Sequence, residues 1–195
     1  MIKHVLALFF LPLATMANAT SVDIQARGPD GRPLAGAVVT IVSTARKPQP
    51  FRLATPPVMA QQNISFQPHV LIVPTGTAVA FPNHDKVRHQ VYSFSKTKKF
   101  ELKLYGKDET HKVTFDKPGV VALGCNIHDA MSGFIVVVDT PFAAQADANG
   151  RVSFGDVPAG AATVTVWHPE MRVRGNQFAQ ALNVSGASLA KTVAP

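Results

Sequence analysis

A short loop between two strand-like runs constrains this chain more than any other feature of its sequence. The stretch from Val120 to Val138 contains the only cysteine, Cys125, with His128 three residues on and Met131 three beyond that. Apolar, β-rich runs on both sides of the loop predict two flanking strands. A thiolate, an imidazole and a thioether on one turn form a donor set that suits copper cycling between Cu(I) and Cu(II).

Other cysteine chemistries fit this sequence less well. A structural zinc site uses four Cys or His ligands, and a c-type haem attachment or a CxxC redox pair needs a second cysteine. A thiol protease would take its base from a distant part of the chain, whereas here a histidine lies in the same loop as Cys125. A buried small side chain or a bridge between two copies would be favoured only without the neighbouring His and Met.

A trigonal copper site needs a second imidazole, which must come from elsewhere in the chain. His89 begins a predicted strand in which His89, Val91 and Ser93 share one face, because side chains alternate along a strand. A histidine at the start of that strand can point into the site. His84 is the alternative, but it lies in a turn and is predicted to be solvated. His69 is predicted to be a packed or surface histidine.

Two segments of the sequence resemble the blue-copper cupredoxin family: FPNHDKVRHQV and GCNIHDAM. The Cys-x2-His-x2-Met spacing is similar to that of the amicyanin-like members. With KFELKLYG, FDKPGVVALGCNIHD and VWHP added, the chain resembles bacterial cupredoxins labelled methylamine utilization or plastocyanin-like proteins. The resemblance implies a Greek-key cupredoxin β-sandwich and an Asn, Asn83, that tethers the ligand loops; Arg88 stands where amicyanins often have Pro. It also implies one type 1 copper ion with these ligands: His89, Cys125, His128 and Met131.

The first nineteen residues have the composition of a secretory signal peptide. Lys3 precedes an apolar run from Val5 to Ala14, and the small-residue sequence Ala17-Asn18-Ala19 follows it. We therefore predict that residues 1–19 are cleaved after Ala19. The apolar run is too short to span a bilayer, and no later stretch is long enough. The mature chain is therefore predicted to be exported, in the periplasm, and not transmembrane.

Strand-like alternation, with 15 prolines and 13 glycines in short clusters, predicts an all-β chain. Residues 20–44 and 140–195 contain turn signals typical of hairpins, although the tail after Arg174 is uninformative. PLAGAVV, DANGRVSF and VPAG in these segments resemble opposite ends of a carboxypeptidase-regulatory-like (transthyretin-like) β-sandwich. We predict that the two segments pair into one small sandwich, with a Pro-rich linker (45–60) and the cupredoxin domain (61–139) inserted between them. Alternatively, they only decorate the cupredoxin sandwich.

The chain is basic, with a formal net charge of +7. Six of its lysines fall in one segment: Lys96, Lys98, Lys99, Lys103, Lys107 and Lys112. They are interpreted either as protection of an exposed sheet edge against aggregation or as steering toward an acidic redox partner or membrane surface. Nucleic acid is not a predicted partner, because the segment has no signature of a nucleic-acid module.

Ligand chemistry and resemblance together predict a carrier of single electrons between redox proteins, such as a c-type cytochrome or a periplasmic dehydrogenase. By analogy with the family, His128 would be the electron port. Copper oxidases and nitrite reductases need a further copper site built from several more histidines, so we do not predict an enzyme; His168, beside Trp167, is not assigned to copper. A copper carrier, or a partner-binding module without an electron-transfer role, is the alternative. The connection to methylamine rests on the family label.

Overall fold

The computed structural model describes residues 19–45 and 51–195. The predicted signal peptide lies outside the described residues, except for Ala19, which begins the first strand. Among the described residues, no helix is long and apolar enough to cross a membrane. The strands and one short 3-10 helix follow in this order: β1 (Ala19–Ala26), β2 (Val38–Ser43), β3 (Ala60–Gln61), β4 (Phe66–Gln67), β5 (Val70–Pro74), β6 (Thr77–Pro82), β7 (Val91–Phe94), β8 (Lys99–Glu101), β9 (Thr110–Phe115), β10 (Gly119–Cys125), β11 (Ser132–Val138), β12 (Phe142–Gln145), β13 (Arg151–Pro158), β14 (Gly160–Trp167), the helix (Arg174–Asn176), β15 (Gln177–Val184) and β16 (Ser188–Val193).

Strands β3 to β11 form a unit that we call the central sandwich. Its larger sheet has the order β5-β11-β10-β7-β8, and the pairs β6-β9 and β3-β4 complete it. Alternate residues of these strands point inward and form one apolar core, to which Phe81, Phe115, Val121 and Ile135 contribute. Strand β10, which ends at Cys125, lies in the middle of the five-stranded sheet. The predicted metal loop therefore begins on a strand that is paired on both sides, with β11 and with β7.

The terminal segments form a second unit, the split sandwich, made of β1, β2 and β12 to β16. One sheet has the order β13-β1-β16 and the other β12-β2-β14-β15. Both sheets therefore combine strands from the two ends of the chain, and their inner faces share one apolar core. The predicted all-β class is confirmed, and the residues after Arg174, which were uninformative in the sequence, supply β15 and β16.

The hairpins predicted from the turn signals are wrong. Strands β1 and β2 flank the Pro-Asp-Gly turn but lie in opposite sheets, and the same holds for β12 and β13 around Asn-Gly and for β13 and β14 around Pro-Ala-Gly. Each strand presents one apolar face. Because consecutive strands lie in opposite sheets, their apolar faces meet in the core between the two sheets. Ile24 on β1 and Ile41 on β2 thus belong to one core although their strands do not pair.

The predicted linker packs more closely than expected over its described part, residues 51–60. Leu53 packs against the core of the central sandwich, and Val58 forms a bridge with Ala80 on β6. The Met59 N–H also donates to the Ala80 carbonyl, at 2.8 Å, and Met59 is fully buried. The central sandwich therefore begins a few residues before the predicted boundary at residue 61.

Candidate metal centre

The loop between β10 and β11 is tight and starts at the predicted cysteine. Cys125 is the last residue of β10, and β11 begins at Ser132 directly after Met131. Gly124 pairs with Ser132, so the two strands hold both ends of the loop together. Within the loop, the Met131 N–H donates to the His128 carbonyl at 2.9 Å. The strands predicted on either side of the loop are present.

His89 reaches this loop from the neighbouring part of the sheet. Strand β7, which follows it, pairs with β10 at Cys125, and His89 itself bridges to Tyr105. The predicted alternation holds, since His89, Val91 and Ser93 are all buried. The His89 side chain therefore points into the central sandwich, toward the end of β10.

Three donor atoms converge at this point. The Cys125 Sγ lies 3.8 Å from the His89 Nδ1 and 4.0 Å from the His128 Nδ1, and the three donor atoms all lie within 4.8 Å of one another. Metal–sulfur and metal–nitrogen bonds of about 2.3 and 2.0–2.1 Å, arranged at trigonal angles, would separate sulfur from nitrogen by about 3.8 Å. The observed distances therefore fit a trigonal site of two imidazoles and one thiolate, the arrangement of blue copper centres.

Met131 is buried in the apolar core that also contains Cys125. Its place next to the loop would let its thioether supply a weak contact to a bound copper ion. Its role as the axial ligand remains a prediction.

The other histidines considered in the sequence lie away from this cluster. His84 is exposed, as expected for a turn residue. His69 is also exposed and meets the Phe134 ring edge-on, with centroids 5.5 Å apart. In the split sandwich, the His168 Nδ1 accepts a hydrogen bond from the Glu170 N–H. None of these three belongs to the donor cluster found among the described residues.

Asn83 is fully buried and braces the loop that leads to His89. Its side-chain amide donates to the carbonyls of Val87, at 2.9 Å, and Tyr105, at 3.2 Å. Its side-chain oxygen accepts from the Asp85 N–H. These contacts fix the segment that carries His89; the tether from Asn83 to the cysteine loop that the family resemblance implies is still a prediction.

Asp85 is a site residue that the sequence analysis missed. Its Oδ2 lies 2.8 Å from the His89 Nε2, and its side chain is only 13% exposed. Burial by itself would raise the pKa of Asp85, but hydrogen bonds from the Ile64 N–H, His89 and the Asn63 N–H hold it below its ordinary value. The signal available in the sequence was a carboxylate four residues before a ligand histidine.

Apolar side chains are exposed on the segments around the cluster. Ile127, next to His128 in the loop, is 51% exposed, and Ile64 and Val87 are exposed on the two segments that contact Asp85 or lead to His89. His128 itself is only partly buried, whereas His89 is fully buried. One imidazole of the cluster thus lies near solvent beside an apolar side chain.

Fold and donor set define a β-sandwich protein with a His-Cys-His donor cluster in which His89 and Cys125 are buried and His128 is partly exposed, the arrangement of blue copper centres. Solved structures similar to this chain include cupredoxins, with amicyanin among them. A purple cupredoxin from Nitrosopumilus maritimus is 23% identical over 41% of this chain and 95% of its own, with a TM-score of 0.37. An oxidised amicyanin variant is 22% identical over 51% of this chain and 97% of its own, with a TM-score of 0.40.

A copper-containing nitrite reductase from Thermus scotoductus is 30% identical over 46% of this chain, with a TM-score of 0.40. The match covers 25% of that enzyme, so this chain spans about a quarter of its length. No protein-family model matches the chain, and no curated protein matches it.

Proposed function

We propose that this protein is an exported type 1 copper protein that carries single electrons between redox partners. The observation that carries the proposal is the convergence of one buried thiol and two imidazole Nδ1 atoms at trigonal-site distances. When bound, copper supplies a one-electron couple between Cu(I) and Cu(II). Export rests on the predicted signal peptide, and the connection to methylamine metabolism on family resemblance.

The chain holds the donors in a rigid setting. Cys125 and His89 are almost completely buried, the first at the end of a central strand and the second on a segment braced by Asn83. Packed interiors resist rearrangement, so these residues would keep their positions in both oxidation states. Little reorganisation favours rapid electron transfer over slow uptake and release of the ion, and this distinguishes the proposal from a copper-carrier role.

Electrons would enter and leave at His128, because it is the cluster imidazole nearest to solvent and Ile127 beside it offers an apolar contact. The lysines on and beside the edge strand β8 would attract an acidic partner, such as a c-type cytochrome or a periplasmic dehydrogenase. Charge attraction acts chiefly on the rate of association. Electron transfer with such a partner should therefore slow as salt concentration rises.

The proposal is tested by adding Cu(II) to the purified protein. We expect an intense thiolate-to-copper colour that ascorbate bleaches, together with a narrow copper hyperfine splitting in the electron paramagnetic resonance spectrum. Cys125→Ser should abolish the colour, because the strongest donor is lost. His84→Ala is the matched control: it removes an exposed imidazole that lies outside the donor cluster and should leave the spectrum unchanged. A colourless protein that passes copper to chelators would indicate a carrier instead.

A further inference from the structure

The two nitrogens of His89 face different groups. Its Nδ1 lies 3.8 Å from the Cys125 Sγ, and its Nε2 lies 2.8 Å from the Asp85 Oδ2. A neutral imidazole carries its proton on one nitrogen, and an ionised carboxylate only accepts hydrogen bonds. The proton therefore lies on Nε2, shared with Asp85, and the lone pair on Nδ1 is directed toward the sulfur.

The Asp85 carboxylate is itself fixed by a turn from another part of the chain. The Asn63 N–H donates to Oδ1 at 2.7 Å, and the Ile64 N–H donates to Oδ2 at 3.0 Å. Both residues have φ of 55°, the left-handed region that a β-branched residue such as Ile rarely adopts. A strained backbone conformation persists only where contacts with the surrounding structure hold it in place. Here the strained turn aims two N–H groups at the carboxylate that contacts His89.

We propose that Asp85 is a positioning residue of the metal centre, fixing the tautomer and ring orientation of His89 and strengthening Nδ1 as a donor. This proposal shares one assumption with the proposed function, namely that the metal centre binds copper. Partners of this kind raise the basicity of ligand histidines, and their loss typically lowers metal affinity about 10- to 100-fold. The negative charge would also favour the more positive ion, Cu(II), over Cu(I).

A first experiment needs neither copper nor a variant. In the metal-free protein, nitrogen-15 NMR of the His89 ring should show the proton on Nε2 and none on Nδ1. A His89 ring protonated on Nδ1, or a mixture of the two forms, would overturn the proposal. This result is independent of whether the protein carries electrons, so the proposed function and the role of Asp85 can fail separately.

A second experiment compares three variants. Asp85→Asn should redistribute the His89 tautomers, weaken Cu(II) binding about 10- to 100-fold and raise the reduction potential. Asp85→Glu, which keeps the carboxylate, should restore part of each property. Asp116→Asn is the control with the same change of charge, because Asp116 is an exposed residue paired with Lys98.

Equal behaviour of Asp85→Asn and Asp116→Asn in tautomer and potential would contradict the positioning role. Thermal unfolding of the metal-free variants shows whether each one folds. If Asp85→Asn does not fold, the tautomer of the unmodified protein and the Asp85→Glu variant still decide the question.

Discussion

Tyr105 is the largest fully buried side chain of the chain's described part. Its hydroxyl donates to the Phe81 carbonyl at 2.9 Å and accepts a hydrogen bond from the Gln61 amide. Its backbone pairs with that of His89, so it lies under the segment that carries a predicted ligand. Burial raises the pKa of Tyr105 to about 12, against an ordinary value of 10.0.

This environment predicts an unusual alkaline titration. Tyr105 ionises near pH 10 in the unfolded chain, but its pKa of about 12 keeps it neutral in the folded protein up to a higher pH. The contribution of the neutral Tyr105 to folding stability is therefore complete below pH 10 and is lost progressively between pH 10 and pH 12. Tyrosinate absorbance, followed with circular dichroism, should show one of the two tyrosines ionising late. Tyr105→Phe should remove that component. Ionisation of Tyr105 near pH 10 in a protein that remains folded would contradict this expectation.

At the residue scale, the sequence singles out the candidate ligand residues but not the residues that support them. His89 could be chosen over His84 because period-two alternation places its side chain inward, and the structure shows this burial. Asp85 could not be chosen in the same way, because its role depends on the orientation of the His89 ring. That orientation depends on two N–H groups of a turn about twenty residues upstream, which no local pattern reveals.

The central element of the site is strand β10, which reaches Cys125 by passing closely under a neighbouring side chain. Gly124 pairs with Tyr92 on β7. A Cβ at residue 124 would lie 2.6 Å from the Tyr92 Cζ and 2.7 Å from its hydroxyl oxygen. A Cβ at this position therefore requires either the Tyr92 ring or the two strands to shift beside the metal centre.

Gly124→Ala should consequently displace β10 and Cys125. We expect a loss of roughly 1–3 kcal/mol in unfolding free energy, as for other overpacked sites, and a changed thiolate-to-copper spectrum. Gly155→Ala is the control, because a Cβ at that strand position meets nothing within 4 Å. Denaturant unfolding and absorbance spectra measure the two effects. An unaltered spectrum with full stability would show that Tyr92 simply moves aside.

At the element scale, alternation predicts strands, but turn signals do not determine which strands pair. Pro-Asp-Gly, Asn-Gly and Pro-Ala-Gly were interpreted as hairpin turns, whereas each connects strands of opposite sheets. The same turn chemistry allows the chain either to double back within a sheet or to cross the core. The choice depends on which apolar faces meet, and those faces come from both ends of the chain.

At the scale of the whole molecule, the two sandwiches share a small apolar cluster. The cluster joins Val38 and Trp167 of the split sandwich to Val70, Val136 and Val138 on the outer face of the central one. The Trp167 ring meets the Phe134 ring edge-on, with centroids 5.2 Å apart. The outer face of β5 and β11 is therefore covered, and the two cores are expected to unfold together.

Trp167→Ala should make the two sandwiches unfold at different temperatures. Removing a buried Trp side chain typically lowers the free energy of unfolding by about 3–5 kcal/mol. The cavity would lie in the apolar cluster where the two sandwiches pack together. Calorimetry should change from one unfolding transition to two. Phe94→Ala is the control, because Phe94 is an aromatic residue that is 77% exposed, and it should leave a single transition. One unchanged transition in Trp167→Ala would show that the sandwiches are coupled elsewhere.

The parallel pairing of β1 with β16 has a consequence for how the protein is made. Ser21 on β1 lies opposite Ser188 on β16. The first strand of the described chain therefore pairs with the last one, which is synthesised much later. Non-local pairings of this kind form slowly, while every strand around Cys125 becomes available earlier. A nascent chain can thus assemble the residues around Cys125 well before its two ends meet. Truncation near residue 188 would leave one edge of β1 unpaired beside a complete central sandwich.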